Sequence, residues 1–484
     1  MKRLVVFASF SVFLVSAIHA AVRLGAPFTN RAVLQRDRPV PVWGKAAPGE
    51  KVTVSFASQT LEATADETGR WRVTLAPMEA SSNPQTLRVE PGGIAVKDVL
   101  VGEVWLASGQ SNMAFGLSKN KPRSKERFGS LLAQITTRPL IRYAKIEKKS
   151  AEQECDHAMV KWNAFQPGTL LGGGPSAVAT YFALYLHDAI DIPVGIVQCA
   201  WGGTNIDAWI PHTAESAKGA KIPSRPAFRP GFIYRGSIAP IKPFSMRGVI
   251  WYQGEADTDE SDRYDGRMKM LYDGWGRLFE NEKWPFLFVQ IAPYDYKARQ
   301  YGVNRDMVGL QLAQARFAES EPNAYMTTVN DAGNIWDVHP NDKGPVGMRL
   351  AALALQHVYG CRNVKADPPV AVSARPVGDG KVEIAFRNGE GLYIYNENRS
   401  LEIGLEIAGA DGLFHDASVL GVDKDGVIRP QQGRITVHSK HVSEPKRVRY
   451  LFKSPWYGAL RNRSGIPAGP FDLKVTDRSG THVK

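Results

Sequence analysis

The sequence predicts an α/β protein with a parallel sheet at its centre and a β-sandwich-like region on each side. Apolar β runs alternate with longer helical patterns over residues 98–366, which is typical of βα units. Short β runs separated by turns occupy residues 21–97 and return over residues 367–484. The 484-residue chain is 43% hydrophobic and 22% charged, so it has enough apolar surface to fold, as about three domains.

The first 20 residues predict a secretory signal peptide that is not part of the fold. Lys2 and Arg3 precede an apolar run over residues 4–18, and Ala20 supplies a small residue for cleavage. No later segment reaches the length of about 18 apolar residues that a membrane helix needs. We therefore expect an exported protein, periplasmic or secreted, without a membrane span.

Residues 21–97 are expected to form a small antiparallel sandwich, because Gly and Pro punctuate their β runs at 47–49 and 91–93. The predicted strands are Pro39 to Trp43, Lys51 to Ala57, Thr60 to Ala65, Trp71 to Leu75 and Gln85 to Val89. Residues 367–484 have the same character and predict a second β domain. Its strands are Val382 to Phe386, Leu392 to Tyr395, Leu401 to Ile407, Arg434 to Val437 and Val448 to Phe452.

The central region, residues 98–366, predicts the catalytic domain. Its strands are Val99 to Ala107, Pro193 to Cys199, Arg247 to Tyr252, Phe286 to Ile291 and Tyr325 to Val329. Its helices are Ser176 to Ala189, Asp262 to Phe279, Arg305 to Ala318 and Gly344 to Tyr359. Because sites in open α/β sheets lie beyond the carboxyl ends of the strands, chemistry is expected in the segments that follow these strands.

Composition excludes several classes of protein. The net charge is +12, but Lys and Arg are interspersed with Asp and Glu and no nucleic-acid-binding signature is present, so we expect no nucleic-acid partner. The cysteines are Cys155, Cys199 and Cys361, an odd number that allows at most one disulfide. No Cys-x-x-Cys or His-Glu-x-x-His spacing occurs, so neither a metal nor another cofactor is expected.

The strand ends carry the parts of an acyl-transfer site. Ser111 follows the first strand at a tight turn into a helix, where its hydroxyl would be exposed and its N–H would lie at a helix N-terminus. Gly202 and Gly203 follow the second strand and let a backbone N–H approach a developing oxyanion. The side-chain amide of Gln253 or Asn112 is expected to supply a further donor.

A serine nucleophile needs a base and a group that orients the base. His339 is the predicted base, and Pro340 after it indicates an extended loop. Asp337 is the predicted orienting group, with Asp331, Glu255 or a carbonyl as alternatives. Each feature alone has an ordinary structural explanation, such as a helix-capping serine or a surface His-Pro loop, but their occurrence at successive strand ends favours catalysis.

Together these segments resemble the sialate O-acetylesterases of the SGNH hydrolase superfamily. The resemblance rests on the following blocks: Gly109 to Met113 (GQSNM), Trp201 to Thr204 (WGGT), Trp251 to Glu255 (WYQGE), Asp337 to Pro340 (DVHP), Ile238 to Pro240, Val289 to Pro293 and Asn462 to Pro467. Met113 stands where the second Gly of Gly-x-Ser-x-Gly would be, which disfavours an α/β-hydrolase elbow.

The resemblance implies a flavodoxin-like SGNH hydrolase domain and a serine esterase that removes O-acetyl groups from sugars. Ser111 would be the nucleophile, His339 the base and Asp337 its partner. The oxyanion would be held by Ser111, Gly202, Gly203 and Gln253, and the substrate by Gln110, Asn112, Trp201, Glu255 and Arg235. Ala114 and the segment 235–237 depart from the family pattern at positions expected to face the substrate, so sugar specificity stays open.

Two alternative functions and the role of one basic segment remain open at this stage. The same site could deacetylate neutral polysaccharides such as xylan, or the chain could be a glycan-binding protein with an inactive hydrolase core. The basic residues after the nucleophile either form a solvated loop or recognise an anionic sugar; they are Lys119, Lys121, Arg123, Lys125 and Arg127.

Overall fold

The computed structural model describes residues 22–119, 138–171, 174–296, 305–334, 336–395, 403–423, 425, 427–428, 433–452 and 459–477. The predicted signal peptide and the basic residues from Lys121 to Arg127 lie outside these ranges. The three cysteines are described, and all are free thiols. Within the described ranges, no helix is both long and apolar enough for a membrane span.

The strands of the N-terminal and central regions are β1 Arg23–Leu24, β2 Val33–Gln35, β3 Val40–Lys45, β4 Lys51–Phe56, β5 Gln59–Thr64, β6 Arg70–Leu75, β7 Ser81–Glu90, β8 Ile94–Gly109, β9 Ile141–Ile146, β10 Val160–Ala164, β11 Val194–Ala200, β12 Gly248–Tyr252, β13 Phe286–Val289 and β14 Ala324–Thr327. The helices are α1 Ser111–Ala114, α2 Pro167–Leu171, α3 Ala177–Ile190, α4 Ala214–Ala217, α5 Tyr264–Leu278, α6 Met307–Ser320 and α7 Gly344–His357. The C-terminal strands are β15 Val370–Pro376, β16 Lys381–Arg387, β17 Tyr393–Ile394, β18 Leu405–Ala408, β19 Phe414–Asp416, β20 Ser418–Val419, β21 Arg434–His438, β22 Arg447–Tyr450, β23 Leu460–Arg461 and β24 Phe471–Lys474.

The central sheet has the strand order β10-β9-β11-β8-β12-β13-β14. Neighbouring strands from β9 to β14 are parallel, and β10 pairs antiparallel with β9 at the edge. The α/β class predicted from the sequence is therefore confirmed, as a mixed sheet with helices. Because the parallel strands share one direction, the segments that follow β8, β11, β12 and β14 meet along one edge of the sheet.

Alternating side chains bury both faces of this sheet. On β8, Val104 and Leu106 belong to one apolar core, and Trp105 and Ala107 belong to the other. Helices α5 and α6 contribute to the first core, and helices α3 and α7 to the second. Strands covered by helices on both faces are apolar at every position, which explains the continuous apolar runs in the sequence.

Strand β8 joins the N-terminal region to the central sheet. It spans 16 residues, pairs with β7 and β2 near its start and with β11 and β12 near its end. One apolar core includes Val52 and Val54 of the N-terminal region together with Val104 and Leu106. The predicted boundary between residues 97 and 98 therefore falls inside a continuous strand.

The C-terminal strands form sheets with the orders β15-β16-β21-β20, β17-β23 and β19-β18-β22-β24, and they enclose a core of their own. The segment after β23 also contacts the central region: Asn330 Nδ2, in the loop after β14, donates to the carbonyl of Ala468 at 3.1 Å, and Arg349 of α7 donates to the carbonyl of Gly465 at 3.3 Å. These hydrogen bonds attach the C-terminal region to α7 and to the loop that follows β14.

Candidate active site

The segments after the parallel strands surround one cleft of about 680 Å³. Its lining residues come from the segments that follow the parallel strands β8, β11, β12, β13 and β14: Gln110, Ser111, Gly202, Gly203, Asn205, Lys221, Pro223, Ser224, Arg225, Glu255, Ala256, Asp259, Tyr294, Tyr296, Arg305, Val338 and His339. Ser111, the glycine pair and His339, which lie far apart in the sequence, therefore face a common space.

Ser111 lies at the first residue of α1, directly after a turn that requires glycine. Gly109 has φ +131°, and a Cβ atom at this position would lie 2.1 Å from the carbonyl oxygen of Tyr252. Gln110 N–H donates to the same carbonyl at 3.0 Å, so the turn is fixed against β12. The first N–H groups of a helix have no partner within the helix, so the N-terminus of α1 offers donors beside the Ser111 hydroxyl.

Gly202 packs directly against Ser111. A Cβ atom at Gly202 would lie 3.2 Å from the Cβ of Ser111, closer than most side-chain contacts. Trp201 N–H donates to the carbonyl of Gly109 at 3.0 Å, which ties this loop to the nucleophile turn. Gly203 adopts φ +77° and also lines the cleft. The absence of side chains thus brings the backbone after β11 close to the serine.

Gln253 has a different environment from the one the sequence predicts. It is fully buried and absent from the cleft lining, and its Nε2 contacts Gln110 Oε1 at 3.1 Å, the Thr204 carbonyl at 3.0 Å and Asp257 Oδ2 at 2.5 Å. Its amide protons are therefore engaged within the protein, and the predicted role as an oxyanion donor does not agree with this placement.

Gln110 and Asn112 flank Ser111 and are also engaged in internal hydrogen bonds. Gln110 Oε1 accepts from Gly254 N–H at 3.3 Å and from Ala256 N–H at 3.2 Å. Asn112 is completely buried and does not line the cleft. Gln110 lies at the cleft wall with its Oε1 engaged, and its predicted role in substrate binding stays a prediction. Both amide atoms of Asn112 are engaged within the protein, so Asn112 is not free to bind substrate as predicted. Gln110 and Asn112 both connect the nucleophile turn to the neighbouring loops.

His339 and Asp337 lie on the loop before α7. Asp337 Oδ1 accepts from the His339 backbone N–H at 2.9 Å, and it lies 3.9 Å from His339 Nδ1, which is beyond hydrogen-bond distance. Burial, with the nearby positive charge of Lys343, lowers the pKa of His339. A lower pKa leaves the imidazole unprotonated near neutral pH, as a base requires.

Asp331 is engaged elsewhere. Both of its carboxylate oxygens accept from Arg349 at 2.7 Å, and Arg461 lies 3.4 Å away. Burial raises the pKa of Asp331, but hydrogen bonding from Arg349 outweighs this effect and keeps the pKa below its usual range. This carboxylate joins α7 to the C-terminal region, so the alternative of Asp331 as the orienting acid finds no geometric support.

Arg235 and Trp201 do not line the cleft. Arg235 donates to the carbonyls of Ala151 and Pro230, both at 3.1 Å, so the prediction that it faces the substrate does not agree with its placement. The Trp201 ring packs edge-on against Phe228, with ring centroids 5.5 Å apart. Glu255 does line the cleft, as predicted, although it is largely buried.

Sequence reasoning missed several residues of the cleft lining, of which Arg225 and Asn205 have polar groups that are free for a substrate. Arg225 lies 5.7 Å above the centroid of the Phe228 ring, and no carboxylate of the described residues pairs with it. Asn205 caps a short helical turn through its Oδ1, which accepts from Ala208 N–H at 3.3 Å, while its buried Nδ2 has no hydrogen-bond partner among the described residues. The Asn after Gly-Gly-Thr was the available sequence signal.

Comparison with known proteins identifies the family. Residues 101–351 match the carbohydrate esterase family of sialic acid-specific acetylesterases, which is more than half of the chain. The chain belongs to this family. Its relatives include the mouse sialate O-acetylesterase, 27% identical over 433 residues that cover 76% of this chain and 77% of the relative. The human sialate O-acetylesterase is 26% identical over 390 residues, which cover 72% of this chain and 73% of the human protein.

A solved structure extends the family likeness over nearly the whole fold. A carbohydrate acetylesterase from Xanthomonas citri is 31% identical, covers 94% of this chain and 99% of its own, and superposes with a TM-score of 0.81. These findings confirm the resemblance noted from the sequence. The protein is a carboxylic-ester hydrolase of the carbohydrate esterase class that acts on O-acetyl esters of sugars. The described residues contain no cluster of His, Cys, Asp and Glu that could hold a metal ion.

Proposed function

We propose that the protein is a sialate O-acetylesterase that works through an acetyl-enzyme on Ser111. The observation that carries this proposal is the common cleft: Ser111 at a helix N-terminus, Gly202 packed against it, and His339 on the opposite loop. The family match and the curated relatives support sialic acid as the sugar.

In the proposed reaction, His339 accepts the proton of the Ser111 hydroxyl while the serine oxygen attacks the acetyl carbonyl carbon. The bond between that carbon and the sugar oxygen then breaks, and the imidazolium returns its proton to the sugar oxygen. Water attacks the acetyl-enzyme with His339 again as base, which releases acetate and frees Ser111. Asp337 stabilises the imidazolium once a small rotation closes the 3.9 Å separation from Nδ1.

The oxyanion is proposed to be held by the backbone N–H groups of Ser111 and Gly202, or Gly203, and by the side chain of Asn205. The unpartnered Nδ2 of Asn205 supports this assignment, because a buried donor without an acceptor is costly unless a ligand or water satisfies it. Asn205 thus takes the role of oxyanion donor that was predicted for Gln253. Gln253 would instead hold the nucleophile turn in place through its hydrogen bond to Gln110.

Recognition of an anionic sugar is proposed to depend on Arg225. Lys221 also lines the cleft, but its ammonium pairs with Asp259 at 2.5 Å. Arg305 donates to the Glu255 carbonyl at 3.1 Å and to the Thr258 hydroxyl at 3.2 Å. Arg225 therefore is the cleft cation best suited to a substrate carboxylate. Of the basic run after the nucleophile, only Lys119 is described.

The finer fold assignment is also a proposal. The five strands predicted from the sequence have the order β11-β8-β12-β13-β14, which is 2-1-3-4-5 and typical of flavodoxin-like sheets. This order supports an SGNH hydrolase fold for the central region, which the sequence predicts over residues 98–366 between β domains over 21–97 and 367–484. The N-terminal bound lies within β8, so the proposed catalytic domain and the N-terminal β region share that strand. Export after cleavage near Ala20 remains part of the proposal and is tested by N-terminal sequencing of the mature protein.

The decisive experiment replaces Ser111 by Ala and measures acetate release from O-acetylated sialic acid. Activity is expected to fall by a factor of about 10³ or more, with unchanged thermal unfolding. A serine-reactive probe should label the native protein at Ser111 and not the variant. Retained activity in the folded variant would exclude the serine mechanism, and greater activity of the native enzyme on acetylated xylan would favour the neutral-polysaccharide alternative.

A further inference from the structure

A buried lysine lies beneath the proposed nucleophile, and no step of the reaction uses it. Lys343 is inaccessible to solvent, and its Nζ donates to Asn112 Oδ1 at 2.5 Å. The ammonium lies 5.0 Å from the ring centroid of Phe115 and 5.6 Å from that of Tyr252. Lysine is rarely buried to this extent, because removing its charge from water is costly.

Asn112 connects this lysine to the two halves of the site. It follows Ser111 directly, and its Nδ2 donates to the carbonyl of Val338 at 2.9 Å and to the carboxylate of Glu255. Val338 immediately precedes His339 in the chain. One amide therefore joins the nucleophile helix, the loop after β12 and the loop that carries the base, and Lys343 occupies the remaining oxygen of that amide.

The charges around Lys343 come from several elements. Glu255 faces it from the loop after β12, and Asp337 and Asp342 from its own loop. Burial lowers the pKa of Lys343 to about 7, against the opposing effect of these carboxylates, and burial raises the pKa of Glu255. His339 in turn is faced by Lys343, Asp337 and Lys119. The positive charge of Lys343 thus acts on His339 from within the protein.

We propose that Lys343 is a positioning residue for the base: through Asn112 it holds the His339 loop against the nucleophile helix, and its charge opposes protonation of His339. This inference rests on the proposed function, because it assigns the base to His339. The two contributions are separable, since one requires only a hydrogen-bond donor and the other requires a charge.

The expected pH dependence of kcat/KM follows from the repulsion between the positive charge of Lys343 and a protonated His339. The acidic limb of kcat/KM reports the protonation of the free enzyme's base, and a lowered pKa of His339 places that limb below the pH range in which an ordinary histidine titrates. Lys343 is largely protonated in that range, so its charge is present where the limb lies. Removing the charge raises the pKa of His339 and moves the limb to higher pH.

The test compares Lys343→Gln with Lys343→Met by pH profiles of acetate release. Gln retains a donor for Asn112 and removes the charge, so the limb should move upward by roughly half a pH unit or more while the plateau of kcat stays within about 3-fold of the native enzyme. Met removes both the hydrogen-bond donor and the charge, so the same upward shift of the acidic limb should be accompanied by a loss of roughly 10-fold in plateau kcat. The charge test depends on the Gln variant alone and is independent of how well the Met variant folds.

Lys119→Met provides the matched control. The charge of Lys119 also lowers the pKa of His339, but Lys119 is exposed, so solvent and salt screen its charge. The acidic limb should therefore move less in Lys119→Met than in Lys343→Gln.

The shift in Lys343→Gln should persist at 1 M salt, where the Debye length is only about 3 Å. An unchanged limb in Lys343→Gln would overturn the charge effect, and equal plateaus in the Gln and Met variants would overturn the tether. Because these variants retain Ser111, failure here is distinct from failure of the serine mechanism, which Ser111→Ala tests.

Discussion

The nucleophile side and the base side of the cleft are built differently. The residues that flank Ser111 are almost inaccessible to solvent, with Gln110 3% exposed and Asn112 completely buried. The side chains of His339 and Asp337 are 39% and 44% exposed, and their closest approach is 3.9 Å. One side is held by a network of buried amides, and the other is a surface loop attached to that network through Asn112.

This difference indicates where geometry is fixed before the substrate arrives. The nucleophile and oxyanion donors must match the transition state closely, and buried hydrogen bonds hold them in place. The base must move a proton in both directions, and hydrogen bonds of catalytic groups are often long until substrate binds. We therefore expect substitutions on the nucleophile side to lower kcat strongly, and substitutions around the base to act more gradually or through pH.

After Ser111 itself, the largest effect is expected for Asn205 on the nucleophile side. In Asn205→Ser, the hydroxyl can still cap the turn at Ala208, because serine is a good capping residue, but the Nδ2 donor is lost. If Nδ2 stabilises the oxyanion, kcat should fall by about 10²-fold or more with little change in KM. Steady-state kinetics on an aryl acetate measure this change.

Gln253→Ala is the matched comparison for that experiment. Gln253 is buried among Gln110, Thr204, Asp257 and Tyr264, so its loss should lower the melting temperature as well as kcat. Native kinetics in Asn205→Ser, together with a large kcat loss in Gln253→Ala at unchanged stability, would return the donor role to Gln253.

On the base side, Asp337 and Asp331 should separate catalysis from stability. Asp337→Ala is expected to lower kcat by roughly 10- to 100-fold, because the imidazolium loses its nearest carboxylate, with little effect on unfolding. Asp331→Ala leaves Arg349 and Arg461 without their carboxylate and should lower the free energy of unfolding by roughly 3 kcal/mol. Kinetics and urea denaturation of both variants check this. An equal or greater kcat loss in a stable Asp331→Ala variant would transfer the orienting role to Asp331.

The sequence predicted the central elements well because their signals are local. Strands β8, β11, β12, β13 and β14 are apolar runs followed by turn residues, and their ends lie within a few residues of the predicted ones. Strands β9 and β10 were missed. β10 alternates polar with apolar residues and is the edge strand, and β9 lies between it and β11. Tertiary pairing decides the structure of such strands more than composition does.

The site was predictable as a set of segments but not as a set of side-chain directions. Ser111, Gly202, Gly203 and His339 all line the cleft, because the carboxyl ends of parallel strands meet at one edge. Whether an amide points into the cleft or into the protein depends on partners that are distant in the chain. The internal bonds of Gln253 and the carbonyl partners of Arg235 could not be read from spacing.

The smallest effect is expected at the cleft mouth, where Arg225 is held over Phe228. Arg225→Met should lower kcat/KM for O-acetylated sialic acid roughly 10-fold, because the substrate carboxylate loses a charge-assisted hydrogen bond, and should change it less than 2-fold for a neutral acetylated sugar. Added salt should narrow the difference for the native enzyme, since this contact is exposed to solvent. Arg229→Met is the control, because Arg229 lies on the same segment but outside the cleft lining. Equal losses on both sugars would mean that Arg225 shapes the cleft through Phe228 and does not recognise charge, which would transfer anion recognition to the basic residues between Lys119 and Arg127.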